Sequence, residues 1–314
     1  MSTNEINKKI RVIFMGTPEF SLPGLNSLIN EKEFEIVGVF TQTDKPVGRE
    51  QKMTPPPVKR LALENNLTVF QPEKIKDKFE TIKNLQPDLI IVIAYGKIIP
   101  QSILDIPTYG CVNVHASLLP KYRGAACLNA PILNGDSETG ITIMKIEAGL
   151  DTGPILRQAT MKLNGKETLE DVHDTLAALG AKILIPTLKD FMAGKIEPQI
   201  QDESKASYIK TLKKEDGKID WQKSAVEIER MVRAYNPWPG TYGLNNGKIV
   251  KIISVDSNIL KSASHKIGEI FLADGRLAVQ CGQDALVILK LQTAGKKIMT
   301  SEEFWRGNRI NSLS

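Results

Sequence analysis

Three polar side chains near the middle of the chain have types and a spacing that suit acyl transfer to an amine. Asn113 and His115 lie two residues apart in the run GCVNVH, so that in a β-strand they share one face. Asp151 lies in the loop EAGLDTGPI, which follows a predicted strand at 141–146. Each of these residue types alone is more often structural, and it is the combination of the three that indicates a catalytic site.

The chemistry expected of this trio is the attack of a nitrogen on a carbonyl carbon, which develops negative charge on the carbonyl oxygen. Asn113 and a protonated His115 could stabilise that charge as hydrogen-bond donors. Asp151 could orient the imidazole and accept or relay the amine proton. An α-amino group has a pKa of about 8, so a useful fraction is neutral near pH 7. The sequence has no G-x-S-x-G nucleophile elbow, and it leaves open whether His115 or Asp151 carries the proton.

The elements that must position these residues alternate between strand and helix. Apolar runs at 9–16, 34–40 and 87–94 are separated by segments with helical spacing, and a helix is predicted at 125–133. This order predicts an α/β fold with a Rossmann-like, doubly wound and mostly parallel sheet. A right-handed crossover would then return the loop of Asp151 to the carboxyl edge of the sheet, where open α/β folds bind ligands.

The second half of the chain has a different pattern. A polar stretch at 190–207 is predicted to be a linker, so that the domains are 1–189 and 208–314. A helix is expected at 224–234, where NPWPG ends it. Short strands are expected at 248–255, 268–272, 277–281 and 285–291, and their spacing predicts a small OB-like β-barrel.

Composition and charge limit the classes of function. Of 314 residues, 41% are hydrophobic and 25% are charged, and no apolar run approaches the roughly 20 residues needed to span a bilayer. The three cysteines form no CxxC pair, and the N-terminal segment lacks the apolar region of a signal peptide, so a cytoplasmic protein without a membrane partner is expected. Residues 206–314 carry 17 basic and 11 acidic side chains, a net +6, which suits contact with a polyanion such as RNA. Charge alone allows a lysine-rich surface equally well.

Longer motifs extend the trio into a recognisable pattern. The run NVHASLLPKYRGAA, then GDSETGITIM and LDTGPI, resembles the central motifs of the folate-dependent formyltransferases. Further matches along nearly the whole chain are VIFMGTPEF, IVIAYGKIIP, KKEDGKIDW, RAYNPWPGT and LQTAGKKIM. The NPWPG and LQ-x-AGKK-x-M pieces favour the branch that acts on initiator methionyl-tRNA.

The resemblance implies a site and a cofactor. Asn113, His115 and Asp151 would be catalytic, and the formyl donor would be 10-formyltetrahydrofolate, with no metal required. The family fold is a Rossmann-like catalytic domain (1–189) joined to an OB-like tRNA-binding domain (208–314). The residues that correspond to the folate-binding segments are Ile93, Ala94, Tyr95, Gly96, Ser117, Leu118, Leu119 and Pro120.

The resemblance also implies contacts with the tRNA. The segment 41–59, rich in Pro and charge, is predicted to be a loop that reaches the acceptor end, and Arg49 is its strongest candidate for a phosphate or base contact. The other candidates are Lys45, Lys52, Lys213, Lys214, Lys296 and Lys297. Trp238 is predicted to be a packing anchor rather than a base-stacking platform. A monomer is expected.

The run Cys127-Leu128-Asn129 departs from the family, which usually has Pro at the first of these positions.

Four alternatives remain. An amino-sugar nucleotide formyltransferase would use the same trio on another acceptor, and a 10-formyltetrahydrofolate hydrolase would use water. A non-catalytic RNA-binding protein would leave the trio unexplained. A dinucleotide-dependent oxidoreductase is disfavoured because the first turn, GTPEF, lacks the glycines of a GxGxxG motif.

Overall fold

A computed structural model describes residues 9–48, 50–307 and 312–314 of the chain. The chain divides into two compact units. The first unit contains residues up to Gly124 together with Thr139–Met161 and His173–Tyr208, and the second contains Ala125–Glu138, Lys162–Val172 and Ile209–Ser314. Two segments from within the predicted domain 1–189 therefore group with the second unit. The domain boundaries at 189 and 208 stay a prediction.

The helices and strands follow one another along the chain with few long connections. The strands are β1 (Ile10–Gly16), β2 (Phe34–Phe40), β3 (Lys45–Val47), β4 (Lys52–Thr54), β5 (Val69–Phe70), β6 (Leu89–Ile93), β7 (Cys111–His115), β8 (Arg123–Gly124), β9 (Glu138–Lys145), β10 (Ile155–Lys162), β11 (Tyr208–Ile209), β12 (Thr241–Asn245), β13 (Lys248–Val255), β14 (Ile270–Ala273), β15 (Arg276–Gln280), β16 (Ala285–Thr293) and β17 (Met299–Thr300). The helices are α1 (Leu22–Ile29), α2 (Pro57–Glu64), α3 (Phe79–Asn84), α4 (Gln101–Leu104), α5 (Ala130–Asn134), α6 (Leu169–Met192), α7 (Ala225–Tyr235) and α8 (Ser301–Gly307).

The first unit is built on a sheet with the strand order β10-β9-β7-β6-β1-β2-β5. The pairs β1–β2, β1–β6, β2–β5 and β6–β7 are parallel. All five residues of β6 are buried, as expected for a strand covered on both faces. The predicted mostly parallel α/β sheet is therefore confirmed.

The prediction of a right-handed crossover after β7 is wrong. β9 runs antiparallel to β7, with Val112 opposite Lys145 and His115 opposite Thr142. The carboxyl end of β9 therefore lies beside the amino end of β7, and no parallel return is made. It is the irregular segment between β9 and β10 that brings Asp151 close to His115. The helix predicted at 125–133 is also shorter, because α5 begins only at Ala130, with Pro131 in its first turn.

The segment 41–59, predicted to be a loop, contains a short hairpin. Strands β3 and β4 pair antiparallel, and Gly48 and Gln51 take positive φ angles of +75° and +51° in the turn between them. These angles allow the chain to reverse within a few residues.

The second unit contains an antiparallel sheet with the order β12-β13-β16-β15-β14, and β17 pairs with β16. Helix α7 begins at the predicted position, with a capping box between Ser224 and Glu227. A closed five-stranded barrel is not observed, since in the described ranges no strand pairing joins β12 to β14.

Two tryptophans of the second unit differ sharply in burial. Trp221 is 4% exposed and belongs to the core formed with α7 and the sheet. Trp238 is 57% exposed, and its role as a packing anchor at the domain join stays a prediction. Within the described parts of the chain, the helices are all too short or too polar to traverse a bilayer.

Candidate active site

Strand β7 sets the positions of Asn113 and His115. Because side chains alternate along a strand, both lie on the face opposite Val114. Val114 packs against α6 at Gly180, where an added Cβ would lie 3.1 Å from the Val114 Cγ1 atom. The glycine lets the helix approach the strand closely, and this packing fixes the back of the site.

Both ring nitrogens of His115 face oxygen atoms. The side chain is 6% exposed, and its Nε2 lies 3.0 Å from the backbone oxygen of Tyr122. A carbonyl oxygen can only accept, so Nε2 carries a hydrogen. Nδ1 then faces the Oδ2 atom of Asp151 at 3.6 Å. The two side chains form an ion pair at this distance only if the ring is protonated. The structure thus brings the predicted His115 and Asp151 together.

Asp151 is fixed by its backbone and by its carboxylate. Its φ is +54°, in the left-handed region that non-glycine residues seldom occupy. Its Oδ2 accepts the backbone N–H of Gly124 at 2.8 Å. Gln201 donates from its Nε2 atom to the backbone oxygens of Asp151 and Gly153, at 2.8 and 2.7 Å.

Asn113 is different, because its side chain has no hydrogen-bond partner among the residues that the structure describes. It is partly buried and pairs in register with Val92 of β6. The side-chain NH₂ group of such an amide can donate hydrogen bonds to a substrate oxygen.

The segment 117–120, predicted to bind folate, is held by several hydrogen bonds. Ser117 is 0% exposed, and its hydroxyl donates to the backbone oxygen of Lys121 at 2.6 Å. Thr142 accepts the N–H of Leu119 and donates to the oxygen of Ser117. Leu118 and Pro120 are the partly exposed members, so a ligand would meet these two side chains while Ser117 and the 3% exposed Leu119 support the segment from within.

The segment 93–96 alternates between buried and exposed residues. Ile93 and Tyr95 are buried, whereas Ala94 and Gly96 are exposed with φ angles of +48° and +78°. Burial raises the pKa of Tyr95 to about 12, which keeps the phenol neutral, and its hydroxyl has no hydrogen-bond partner in the described chain. The backbone of Ala94 and Gly96 is the part that a ligand can reach.

A cavity of about 360 Å³ lies in the first unit beside the amino end of β7. Its lining includes Gln101, Leu104, Asp105, Gly110, Cys111 and the residues 145–148. Burial, with a smaller effect from the charge of Asp105, raises the pKa of the Cys111 thiol to about 12, so this cysteine is neutral. Within the described part of the chain, no cluster of His, Cys, Asp or Glu could hold a metal ion.

Two residues that support Asp151 were not singled out from the sequence. Arg123 is 0% exposed and bonds to Gln201, Glu203 and Tyr208. Its hydrogen bonds to Glu203 raise the pKa of Arg123 and lower that of Glu203. Arg123 lies in the motif KYRG, but Gln201 lies in the polar stretch predicted to be a linker, where no pattern marked it.

The basic residues predicted to contact tRNA are on the surface. Lys45 and Lys52 lie on the β3–β4 hairpin, and Lys45 donates to the side chain of Gln42 at 2.9 Å. Arg49 lies outside the described residues. The remaining candidates, all exposed, are Lys213, Lys214, Lys296 and Lys297. Their contact with RNA stays a prediction.

The departure at Cys127-Leu128-Asn129 has a structural explanation within the second unit. Asn129 precedes α5 and is buried, and its Nδ2 donates to the backbone oxygen of Ala234 in α7 at 2.7 Å. The amide therefore ties α5 to the last turn of α7, and Cys127 is buried.

Known protein families match most of the chain. The formyl transferase family matches residues 8–188, and the formyl transferase C-terminal domain matches residues 211–309. The methionyl-tRNA formyltransferase of Geobacter sulfurreducens is 45% identical over 305 residues, which are 96% of this chain and 95% of that protein. The methionyl-tRNA formyltransferase of Clostridium novyi is 43% identical over 306 residues, covering 96% of this chain and 98% of that one.

Solved structures share the fold at lower identity. An N-formyltransferase from Helicobacter canadensis, in complex with folinic acid and dTDP-3-aminofucose, superposes with a TM-score of 0.67 at 20% identity and covers 90% of this chain and 99% of its own. HypX from Aquifex aeolicus in complex with tetrahydrofolic acid has a TM-score of 0.64 at 17% identity, covering 98% of this chain and 51% of its own.

Proposed function

The chain belongs to the formyl transferase family, and we propose that it transfers the formyl group of 10-formyltetrahydrofolate to the α-amino group of initiator methionyl-tRNA, for the initiation of translation. The observation that carries the acceptor is the identity of 41–46% to methionyl-tRNA formyltransferases over about 96% of the chain. The approach of His115 to Asp151 supports the site, together with the amide of Asn113, which has no hydrogen bond to any residue that the structure describes.

The three side chains divide the chemistry among them. Asn113 donates to the formyl oxygen as negative charge develops there, since its amide has no other partner in the described chain. His115 lies on the same face of β7 as Asn113, and Asp151, with its Oδ2 atom 3.6 Å from His115 Nδ1, orients the ring. The bond from the amine nitrogen to the formyl carbon forms while the bond from that carbon to the folate nitrogen breaks. The proton lost by the amine passes through the pair of His115 and Asp151 to the folate nitrogen, which leaves as tetrahydrofolate, so no covalent enzyme intermediate is needed.

The residues that would hold the folate fit a flat, polar ring system. Ala94 and Gly96 expose backbone groups, and the cavity beside β7 offers the carboxylates of Asp105 and Glu147 as acceptors for ring N–H and amino groups. Leu118 and Pro120 give apolar contact. Bound there, the folate supplies the formyl group, and the protein's part is to orient that group toward Asn113 and His115.

The proposed tRNA-binding domain is the part of the second unit that lies within the predicted boundaries 208–314. Its net charge of +6 over 206–314 favours a polyanion. Its sheet is proposed to be OB-like, with the C-terminal residues linking its two edges. Leu244 of β12 exchanges both backbone hydrogen bonds with Ser314, and Leu313 donates to Gly268, close to the start of β14. We further place the enzyme in the cytoplasm, where charged tRNA is used, and propose that it acts as a monomer.

The test is formyl transfer from 10-formyltetrahydrofolate to a set of acceptors under identical conditions. We expect methionyl initiator tRNA to be formylated far faster than methionyl elongator tRNA or a dTDP-linked amino sugar. Formylation of the amino sugar alone, or formate release without any acceptor, would replace the proposed acceptor by a sugar nucleotide or by water.

A further inference from the structure

One side-chain amide holds the loop that carries Asp151. Gln201 Nε2 donates to the backbone oxygen of Asp151 at 2.8 Å and to that of Gly153 at 2.7 Å. These two carbonyls flank Thr152, so both N–H groups of the amide donate to a single turn. Asp151 itself has a φ of +54°, which is unfavourable for a residue with a side chain. The amide of Gln201 therefore stabilises the strained turn that carries the Asp151 carboxylate.

Arg123 determines which end of this amide faces the loop. Its Nε and Nη2 atoms donate to Gln201 Oε1 at 3.1 and 2.8 Å. A guanidinium has no acceptor, so only the amide oxygen can face it, and the NH₂ group must face the carbonyls of the Asp151 loop. Arg123 is 0% exposed and Gln201 is 5% exposed, so water offers little competition for these bonds.

The same short strand also fixes the carboxylate. Gly124, the residue after Arg123, donates its N–H to Asp151 Oδ2 at 2.8 Å. Arg123 is held in turn by two hydrogen bonds to Glu203 and one to the hydroxyl of Tyr208. Arg123 thus fixes the main chain of Asp151 through Gln201. The next residue, Gly124, fixes the carboxylate of Asp151.

We propose that Arg123 and Gln201 are positioning residues for formyl transfer, which act by holding the Asp151 carboxylate against His115. Neither side chain touches the reacting atoms. This role rests on the proposed function, because it presupposes that Asp151 takes part in the reaction.

The substitution Gln201→Glu separates this role from simple burial of Arg123. The variant keeps the shape of the side chain and gives Arg123 a charged acceptor, but it replaces the two N–H donors with an oxygen that faces two carbonyl oxygens. If Gln201 served only to satisfy Arg123, the variant would keep the wild-type rate. The positioning role predicts that kcat falls on the order of 100-fold, with KM for folate and for tRNA little changed. Gln201→Met, which lacks donors and charge, must reproduce the loss of kcat even if the charged variant folds poorly.

A double variant shows whether the effect passes through Asp151. Once Asp151→Asn has removed the carboxylate, adding Gln201→Glu should lower kcat little further, whereas independent effects would multiply. The matched control is Gln280→Glu in the second unit. Gln280 is 3% exposed, and its Nε2 likewise donates to backbone oxygens, those of Ser262, Cys281 and Asp284. The control should lower stability but not kcat.

Three outcomes would count against the proposal. A wild-type kcat in Gln201→Glu, or multiplied losses in the double variant, overturns the positioning role and leaves the proposed function intact. A wild-type rate in Asp151→Asn alone would remove Asp151 from the proposed mechanism, and the positioning role with it.

Discussion

The backbone N–H of Gly124 donates to Asp151 Oδ2 at 2.8 Å, and the same oxygen lies 3.6 Å from His115 Nδ1. One carboxylate oxygen therefore faces a fixed backbone donor and a titratable ring at once. Because the backbone donor cannot rotate away, the carboxylate keeps its orientation whether or not the ring is protonated. This relationship places Gly124 in the catalytic arrangement although it has no side chain.

Substitution of Gly124 should disturb this arrangement directly. Its φ is +107°, which an L-residue avoids, so Gly124→Ala should strain or shift the N–H that binds Asp151. We expect a loss of about 1–3 kcal/mol in stability together with a fall in kcat of at least about 10-fold. Gly165→Ala is the control, since Gly165 has a φ of +83° and nothing within 4 Å of an added Cβ. Equal kcat in the two variants, measured by single-turnover formyl transfer, would argue against the role of Gly124.

Removal of the Asn113 amide should affect the rate far more than the fold. Asn113→Ala should lower kcat by about 100- to 1,000-fold, the usual loss for a donor to an oxyanion. The melting temperature should change little, because the described structure gives this side chain no hydrogen bond to lose. Asn245→Ala provides the contrast, since Asn245 donates to the backbone oxygen of Ser312 at 2.9 Å and its loss should affect stability only. A variant of Asn113 with normal kcat would exclude it from the site.

The pair of Arg123 and Glu203 predicts a dependence of stability on pH. Hydrogen bonds from Arg123 lower the pKa of Glu203 below its ordinary value of 4.5. A carboxyl whose pKa is lower in the folded state contributes stability above its unfolded pKa, and this contribution is lost as the pH falls through the folded value. Wild type should thus have a higher melting temperature than Glu203→Gln at pH 7, and the difference should shrink as the pH falls below 4.5.

The control for that pair is Glu138→Gln, which breaks an ion pair with Lys162 in which neither side chain is buried, whereas Arg123 is 0% exposed. Such pairs contribute little, so its melting temperature should track wild type across the same pH range. A gap between wild type and Glu203→Gln that stayed constant with pH would contradict the assigned coupling.

The lysines of the second unit predict how binding responds to salt. Replacing Lys213, Lys214, Lys296 and Lys297 together by Ala should weaken tRNA binding. It should also reduce the magnitude of the slope of log K against log salt concentration by about 0.7–0.9 for each phosphate that is no longer neutralised. Replacing the exposed Lys32, Lys74, Lys76 and Lys83 of the first unit serves as a charge-matched control. An equal change in slope for both sets, measured by filter binding at a series of KCl concentrations, would mean that only total charge matters.

Much of the fold was accessible from sequence because its strands are apolar and local. The strands predicted at 34–40 and 248–255 coincide with β2 and β13. The direction of β9 could not be predicted, since the apolar pattern of a buried strand is the same whether the neighbouring strand is parallel or antiparallel. The short hairpin within 41–59 was missed for a related reason, because its strands are exposed and three residues long and so carry no apolar alternation.

The approach of His115 to Asp151 could be anticipated from residue types and motifs, but its support could not. Gln201 lies 50 positions from Asp151 in a polar stretch, and only the folded chain shows that its amide bonds to the loop. Burial of Arg123 was equally hidden, because its partners Gln201, Glu203 and Tyr208 follow it by some 80 residues.

The most direct test of the account is formyl transfer to methionyl initiator tRNA by wild type and His115→Ala, with folate binding measured in parallel. We predict that wild type formylates the tRNA and that the variant binds folate normally but transfers at least about 100-fold more slowly. Equal rates in the two proteins, or folate binding by wild type without any transfer to this tRNA, would contradict it.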